Sequence, residues 1–308
     1  MRIGLPGGGA TIDRILEQAQ RAEADGFTSL WYASAVAGDP LAAMAVAGRA
    51  TSSIELGTGV LQTYTSHPAL MASRSTATAM AMGRPGFTLG IGPSHDVVIE
   101  GMFGLSYAHV GRHTEEYVRA LAPMLRGEAV DVEGTDITAH RPAAPAPPDS
   151  PVPLLLGALA PRMLRVAGEC TDGTILWMAN ARAVADHVGP RIRSAAASAG
   201  RPEPRIVAGL PVAVVDDVDV ARETAAQQFT MYGNLPNYRA ILERGGVTSP
   251  AEAVLVGDEV AVTAQVEALF SAGVTDVWAA PFPVGEDKRG SRARTMDLLR
   301  SLVEGNVR

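Results

Sequence analysis

Two glycine-rich turns each end an apolar, strand-like run, and this pattern is typical of a site for a flat cofactor. Gly57-Thr58-Gly59 ends the run that starts at Ile54, and Gly90-Ile91-Gly92 ends the run that starts at Phe87. Continuous apolar strands belong to parallel sheets, whose ligands bind beyond the carboxyl ends of the strands. Because glycine has no side chain, the backbone at these ends can approach a planar ring closely. The sequence therefore predicts a ligand site where these two strands end.

Strand-like and helix-like segments alternate along the whole chain and must position these turns. The predicted strands are Ile3–Pro6, Ser29–Tyr32, Ile54–Val60, Phe87–Gly92, Leu154–Gly157, Thr174–Trp177, Arg205–Val215 and Asp276–Ala280. The predicted helices are Ile12–Asp25, Pro40–Ala50, Pro68–Met82, Arg112–Leu125, Ala160–Glu169, Arg182–Ala199 and Arg292–Leu302. This order favours a closed parallel barrel over an open sheet. We expect a single α/β domain, a (β/α)8 TIM barrel over residues 1–308.

Two regions interrupt the alternation, near residues 130–153 and 229–259. The first opens with a predicted hairpin and ends in RPAAPAPPDSPVP, whose prolines exclude a helix and a central strand. We expect this run to be a stiff surface connection. The second contains MYGNLPNYRAILERGG and is polar and aromatic. Two interpretations of it stay open, a helical excursion on the barrel rim and a lid over a substrate.

The three tryptophans of the chain share a local pattern. Trp31, Trp177 and Trp278 each follow a short apolar run that begins after a glycine. Such a glycine is typical of a left-handed helix cap. A tryptophan at the carboxyl end of a strand can line a pocket or pack at the rim, and for each of the three we favour packing.

Composition excludes several classes of protein. The net charge is −7 and the isoelectric point is about 5.4, whereas nucleic-acid binders usually carry a basic stripe. Apolar runs are shorter than the ~20 residues of a membrane helix, and no leader-like segment opens the sequence, so we expect a cytoplasmic protein. The single cysteine, Cys170, excludes an internal disulfide. The six histidines lack metal-ligand spacing, and we predict no metal.

Short motifs follow one another in a characteristic order along nearly the whole chain. They are Gly26-Phe27 with Leu30-Trp31, Ile54–Val60, His67-Pro68, Gly83-Arg84 with Leu89–Gly92, Glu116-Tyr117 with Leu125–Glu128, Gly157–Met163 with Ala167–Glu169, and Asp172-Gly173. In this order and spacing the chain resembles the bacterial-luciferase-like flavin and deazaflavin oxidoreductases. It resembles most closely the branch that depends on coenzyme F420. A homodimer is implied by the same resemblance.

The resemblance implies that a deazaflavin or flavin ring lies at the carboxyl ends of the barrel strands. Its contacts would be Gly57, Thr58, Gly59, Val60 and Gly92. Many members have a non-proline cis peptide bond at the end of the third strand, bulging against the ring. By position this bond would join Gly59 to Val60, and we expect it to be cis.

The cofactor phosphate is expected at the start of the helix that follows the fifth strand. The residues at this position are Gly157, Ala158, Leu159 and Ala160. A helix N-terminus offers unpaired N–H groups and a favourable dipole to an anion. Arg162 either adds a charge-assisted contact or is an ordinary surface arginine. Asn180, after the sixth strand, is a further candidate donor.

His95, three residues beyond Gly92, is the main candidate for a proton source. Hydride transfer requires orientation, exclusion of water and a proton, while the cofactor supplies the electrons. An imidazole titrates near neutrality and can deliver a proton to carbon or nitrogen after hydride addition. The alternative is that His95 only hydrogen-bonds the ring or caps the following segment. For His67, before Pro68, capping or ring contact is favoured over catalysis.

Aromatic and large apolar residues near the predicted strand ends would line the substrate pocket. They are Trp31, Tyr32, Tyr64, Phe103, Tyr107, Trp177, Met178 and Tyr232. This set favours an uncharged or aromatic small-molecule substrate. Many deazaflavin-dependent relatives carry an acidic residue and a histidine where this chain has Ser34 and Ala35. The difference argues against oxidation of an alcohol or a sugar phosphate.

Three functions stay open at this point. The leading one is an F420-dependent oxidoreductase that reduces a C=C or C=N bond of a small molecule. The second is a monooxygenase that uses reduced FMN and oxygen, since the glycine turns suit either cofactor. The third is a barrel that binds flavin, or a partner, without turnover.

Overall fold

The computed structural model describes residues 1–34, 38–143 and 151–305. The strands in these ranges are β1 (Arg2–Gly7), β2 (Ser29–Tyr32), β3 (Glu55–Thr58), β4 (Leu61–Gln62), β5 (Phe87–Gly92), β6 (Val130–Glu133), β7 (Thr138–Arg141), β8 (Leu154–Leu156), β9 (Gly173–Trp177), β10 (Arg205–Val214), β11 (Leu255–Gly257) and β12 (Asp276–Pro281). Eight of them form a closed parallel ring in the order β1, β2, β3, β5, β8, β9, β10 and β12, and β12 pairs with β1. The predicted (β/α)8 barrel is confirmed.

Helices surround the ring. They are α1 (Ile12–Ala24), α2 (Pro40–Arg49), α3 (Pro68–Met82), α4 (Asp96–Ile99), α5 (Val110–Leu125), α6 (Pro161–Cys170), α7 (Ala181–Ala183), α8 (Gly189–Ser198), α9 (Val218–Gln228), α10 (Thr230–Asn234), α11 (Pro236–Arg244), α12 (Pro250–Ala253), α13 (Glu259–Ser271) and α14 (Lys288–Glu304). A π-helical turn, Val184–Val188, joins α7 to α8. Throughout the described ranges, no helix combines the length and the apolar character needed to cross a bilayer.

The bounds of α3 illustrate how local chemistry sets these elements. The backbone N–H of Ala69 donates to Nδ1 of His67 at 3.2 Å, and Pro68 occupies the first turn, where its missing N–H costs nothing. Gly83 ends the helix with a φ of 67°, a left-handed conformation that suits glycine. The capping role predicted for His67 is therefore confirmed.

Two predicted bounds differ from the structure. The third strand was expected to reach Val60, but β3 ends at Thr58, and the chain continues as β4, which pairs with β5. The predicted helix from Arg182 to Ala199 is interrupted by the π-helical turn. The reason is Pro190, which has no N–H to continue a regular α-helical ladder.

The two insertions are built differently. The first contains the predicted hairpin, β6 paired antiparallel with β7, while residues 144–150 of the proline-rich run lie outside the described residues. The second contains α10, α11, α12 and β11, and β11 pairs with β10. It is thus a mainly helical excursion attached to the edge of one barrel strand.

A buried ion cluster closes the amino-terminal end of the barrel. Arg205 donates to both carboxylate oxygens of Glu55, at 2.6 and 2.9 Å, and to both of Asp276, at 2.6 and 2.8 Å. Arg2 donates to the same two carboxylates, each at 2.6 Å. These residues begin β10, β3, β12 and β1, so one cluster fixes four strands of the ring. The Arg205 guanidinium also lies 5.5 Å from the centre of the Trp31 ring, a cation–π contact.

The two carboxylates of the cluster are buried, and they therefore need a positively charged partner. The Asp276 side chain is 1% exposed and that of Glu55 11%. Burial by itself raises the pKa of Asp276, but the hydrogen bonds and charge of Arg205 outweigh it and hold this pKa below its usual value. An unpaired carboxylate at this depth would be costly.

Replacement of Arg205 by methionine should therefore lower the free energy of unfolding by about 3–5 kcal/mol, because it leaves two buried carboxylates with Arg2 alone. Urea unfolding followed by circular dichroism measures this. The folded-state pKa of Asp276 is depressed, so its stabilisation is present above about pH 4 and is lost as the pH falls below that. The difference between wild type and R205M should shrink accordingly in acid.

The matched control is Arg14→Met, which breaks the exposed Arg14–Glu17 pair. An exposed pair of this kind contributes about 0–1 kcal/mol. Equal losses of stability in the two variants would contradict the role assigned to the cluster.

Candidate active site

A cavity of about 610 Å³ opens at the carboxyl ends of the barrel strands. The residues that line it are Pro6, Ala33, Ser34, Gly59, Val60, Gln62, Gly92, Pro93, Ser94, His95, Val98, Gly157, Ala158, Leu159, Ala160, Met163, Ile175, Leu176, Trp177, Tyr232, Asn237, Tyr238, Trp278 and Ala280. They come from the ends of most barrel strands and from the second insertion. This is the end of a barrel where ligands bind.

One side of the cavity is main chain. Gly59, Gly92 and Gly157 line it, and the peptide bond between Gly59 and Val60 is cis, as predicted. A Cβ on Gly59 would lie 3.2 Å from Cδ1 of Ile175, and one on Gly92 would lie 2.9 Å from Cγ2 of Val60. A side chain at either position would therefore have to displace the end of a neighbouring apolar side chain.

Gly157 is different. A Cβ at this position would meet no described atom closer than 3.5 Å, which is an ordinary contact. The protein fold would therefore accept alanine at position 157. The added methyl group would instead occupy space at the wall of the cavity, where a ligand would come close to the backbone.

The N-terminus of α6 meets the cavity beside this wall. Ala158, Leu159 and Ala160 line the cavity, and Ala160 is the N-cap residue, with no side chain to satisfy the first N–H groups of the helix. Arg162 is directed elsewhere. Its guanidinium pairs with Glu115, with Nη2 3.0 Å from Oε2. The first turn of α6 thus offers an anion backbone donors rather than the predicted arginine.

A second part of the lining carries five rings, which we call the aromatic wall: His95, Trp177, Tyr232, Tyr238 and Trp278. The wall borders the main-chain side, because a Cβ on Gly59 would lie 3.3 Å from Cη2 of Trp278. Neighbouring ring centres are close together. The distances are 5.8 Å from His95 to Tyr238, 4.9 Å from Tyr238 to Tyr232, 6.0 Å from Tyr232 to Trp177 and 5.2 Å from Trp177 to Trp278. The wall is therefore one continuous row of contacting rings.

His95 begins α4, but its side chain makes no capping hydrogen bond, so the capping alternative is not observed. The imidazole lines the cavity and is partly buried. Burial lowers its pKa below the usual value, and the carboxylate of Asp96 opposes this only in part. At pH 7 the imidazole is consequently neutral.

Behind the Pro93–His95 loop lies a second group of rings, away from the cavity. The Tyr107 hydroxyl donates to the backbone oxygen of Ser94 at 2.7 Å, and Ser94 has a φ of 63°. Tyr64 stacks on His113 with ring centres 3.9 Å apart. Burial, with help from nearby carboxylates, raises the pKa of Tyr64 to about 12. Tyr107 and Tyr64 thus support the loop that carries His95 and do not line the cavity themselves.

The structure brings some of the predicted site residues together and keeps others apart. Those at the cavity are Gly59, Val60, Gly92, His95, Gly157, Ala158, Leu159, Ala160, Trp177 and Tyr232. Those outside its lining are Gly57, Thr58, Arg162, Asn180, Trp31, Tyr32, Tyr64, Phe103, Tyr107 and Met178.

Most of the outlying residues have other contacts. Trp31, Tyr32 and Met178 are at most 1% exposed. Gly57 lies against the Trp31 ring, and the Thr58 hydroxyl donates to the backbone oxygen of Gly90 at 2.7 Å. Asn180 caps α7 and donates to the backbone oxygen of Gly245 at 3.1 Å. These residues fill the barrel or fix its loops, whereas Phe103 is 42% exposed at the surface.

Sequence reasoning missed several polar and aromatic lining residues. Gln62 comes from β4, which the sequence did not separate from β3, and its Nε2 lies 3.3 Å from Oγ of Ser94. Asn237 and Tyr238 come from α11 in the second insertion. Trp278 was expected to pack at the rim. The one available signal was the aromatic and amide content of the insertion, which is unusual for a surface excursion.

The comparison with known proteins gives the family. The family model for luciferase-like monooxygenases matches residues 2–287. The chain belongs to this family. It is 29% identical over 289 residues, 93% of this chain and 86% of the relative, to 5,10-methylenetetrahydromethanopterin reductase of Methanolobus tindarius. The resemblance to luciferase-like enzymes that was inferred from the motifs is confirmed.

Solved structures share the fold. The coenzyme F420-dependent tetrahydromethanopterin reductase of Methanopyrus kandleri aligns with a TM-score of 0.78 at 22% identity, covering 100% of this chain and 99% of that one. The oxygenating constituent of 3,6-diketocamphane monooxygenase of Pseudomonas putida, a complex with FMN, aligns with a TM-score of 0.73 at 17% identity, covering 98% and 97%. The same barrel fold therefore occurs in an F420-dependent enzyme and in an enzyme that binds FMN.

The burial of His95 gives a prediction about its titration. In ¹⁵N-histidine-labelled protein, NMR should find a pKa for His95 below 6.5, assigned by comparison with His95→Gln. Since folding favours the neutral form, this residue's contribution to stability is lost as the pH falls through that range. His140 is the internal control, because its exposed ring is hydrogen-bonded to Asp131 and its pKa is raised. A titration of His95 above that of His140 would contradict the assigned burial.

Proposed function

We propose that the protein is an oxidoreductase that uses coenzyme F420 to transfer a hydride to a C=C or C=N bond of a small organic molecule. The observation that carries this proposal is the main-chain side of the cavity, where Gly59, Gly92 and Gly157 lie next to the N-terminus of α6. A flat ring with an anionic arm fits such a surface. The similarity to methylenetetrahydromethanopterin reductases, together with the F420 dependence of the structurally similar Methanopyrus kandleri enzyme, supports F420 over FMN.

The residues present fit this cofactor. When bound, F420 would supply the hydride at its deazaflavin ring. Gly59, Val60, Gly92 and Gly157 would hold the ring, since their backbone leaves one side of the cavity free of large side chains. The first N–H groups of α6 would hold the phosphate, because they lack intrahelical partners and carry the positive end of the helix dipole.

His95 would supply the proton that reduction of a C=C or C=N bond requires. It lines the same cavity as part of the aromatic wall, so a substrate bound beside the cofactor ring would be within its reach. The neighbouring rings of Trp177, Tyr232 and Tyr238 would cover that space with apolar surface and so limit the access of water. In this arrangement the chain orients the substrate, keeps the space dry and delivers a proton.

A second function is favoured by one observation. The FMN-dependent monooxygenase of Pseudomonas putida has the same fold over nearly its whole length. If this chain bound reduced FMN, it would consume oxygen, whereas an F420 enzyme would not. The homodimer derives from the family resemblance alone and the cytoplasmic location from the sequence alone, and both stay predictions.

Cofactor titration tests the proposal. Followed by fluorescence, the purified protein should bind oxidised F420 tightly and FMN weakly. Gly157→Ala should weaken F420 binding about tenfold or more, since overpacking costs about 1–3 kcal/mol. Its thermal stability should be unchanged, because the added Cβ makes only ordinary contacts within the protein.

Gly305→Ala, at the end of α14, is the matched control and should bind like the wild type. Tight FMN binding with weak F420 binding would favour the monooxygenase, and binding of neither would overturn the cofactor assignment. Cofactor binding without turnover in a broad substrate screen would favour a non-catalytic barrel.

The proton role of His95 predicts a pH dependence. With an unsaturated or imine substrate identified by such a screen, the wild-type rate should rise as the pH falls through a value below 6.5, because only the protonated ring is the strong acid. His95→Gln should lose this limb and about 10² or more in rate. Its affinity for F420 should be retained. An unchanged pH profile in H95Q, measured by stopped-flow at each pH, would exclude the role.

A further inference from the structure

The cavity has two chemically different sides. The main-chain side is largely without side chains, while the aromatic wall that borders it is an unbroken row of rings from His95 to Trp278. Aromatic surfaces gain most from planar ligands, which can stack face to face or edge to face over the whole ring. The space along the aromatic wall therefore suits a second flat molecule beside the cofactor ring.

The lining is also uncharged. Among the described residues that line the cavity, Lys, Arg, Asp and Glu side chains are absent. Burial raises the pKa of Tyr232 and of Tyr238 and lowers that of His95, so all three are neutral at pH 7. A charged group of a substrate would lose its hydration on entering this space and would find no partner of opposite charge there, which is costly.

The remaining polar groups are neutral hydrogen-bonding side chains. They are the amides of Gln62 and Asn237 and the hydroxyl of Ser94. Such groups recognise a carbonyl, imine or hydroxyl function and fix its orientation without compensating a net charge. The volume of about 610 Å³ lies within the usual range for small-molecule sites, about 300–1,000 Å³, and must hold the ring as well as the substrate.

We propose that the substrate is a small, uncharged, planar ring compound that packs on the aromatic wall, with its C=C or C=N bond beside the cofactor ring. This inference rests on the proposed function, because it assumes that the main-chain side receives the cofactor. It adds a substrate class that neither the family nor the relatives specify.

Three related probes separate the contributions of planarity and charge. Coumarin is planar, aromatic and uncharged, coumarin-3-carboxylate adds one negative charge, and 5,6-dihydro-2-pyranone keeps the unsaturated lactone without the aromatic ring. Isothermal titration calorimetry of the wild-type protein, with and without saturating F420, should give at least tenfold tighter binding of coumarin than of either other probe. Equal or tighter binding of the carboxylate, or no binding of coumarin at millimolar concentration, would overturn the proposal.

Variants locate the binding to the aromatic wall. Tyr232→Leu should weaken coumarin binding about tenfold, whereas Phe103→Leu removes an exposed ring outside the cavity and should have no effect. Asn237→Lys places a cation in the lining and should strengthen binding of coumarin-3-carboxylate about tenfold. Circular dichroism confirms that each variant is folded. Loss of coumarin binding in F103L but not in Y232L would contradict the site.

The two proposals can fail separately. If F420 does not bind but coumarin is still preferred by the protein alone, the cofactor assignment is wrong and the substrate class is retained. If F420 binds and the carboxylate is preferred, the cofactor assignment is retained and the substrate class is wrong.

Discussion

The pairing of Arg205 with Glu55 and Asp276 is the interaction on which the rest of the barrel depends. It joins the first residues of strands that are far apart in the chain and closes the ring at its amino-terminal end. The Trp31 ring lies on the Arg205 guanidinium, and Leu155, Ile175 and Val207 pack on Trp31. Ile175 in turn lines the cavity. Inside the barrel, the ion cluster at the amino-terminal end thus contacts the apolar cluster around Trp31. This apolar cluster in turn reaches the cavity through Ile175.

This arrangement explains why the two sides of the cavity differ. The main-chain side is made by strand ends that the ring holds in register, so its shape follows from the barrel itself. The aromatic wall contains residues from the barrel strands and from the second insertion. Trp177 and Trp278 come from barrel strands and flank Gly209, whose lack of a side chain makes room for both indoles. Tyr232 and Tyr238 come from the helices of the second insertion.

Much of the fold could be predicted from sequence because its signals are local. Apolar runs gave the barrel strands, and the bounds of α3 follow from His67, Pro68 and Gly83, which lie next to the helix they define. The site was harder to predict from the sequence, because its geometry depends on contacts between residues that are far apart in the chain. Trp31 and Trp278 share one sequence pattern, yet only Trp278 reaches the cavity, since the stagger of the barrel strands decides which indole is covered. Arg162 is withdrawn from the predicted phosphate site by Glu115, 47 positions away in the chain.

The second insertion lies outside the closed ring, and β11 beside β10 is its strand pairing with the barrel. Buried residues of α11 such as Ile241 also anchor it to the core, whereas other residues of the insertion line the cavity. Changes at Tyr232, Asn237 and Tyr238 would alter one part of the cavity lining and leave the glycine turns in place. The insertion is therefore the natural segment to redesign for a new ligand, since the fold and the main-chain side of the cavity are specified elsewhere in the chain.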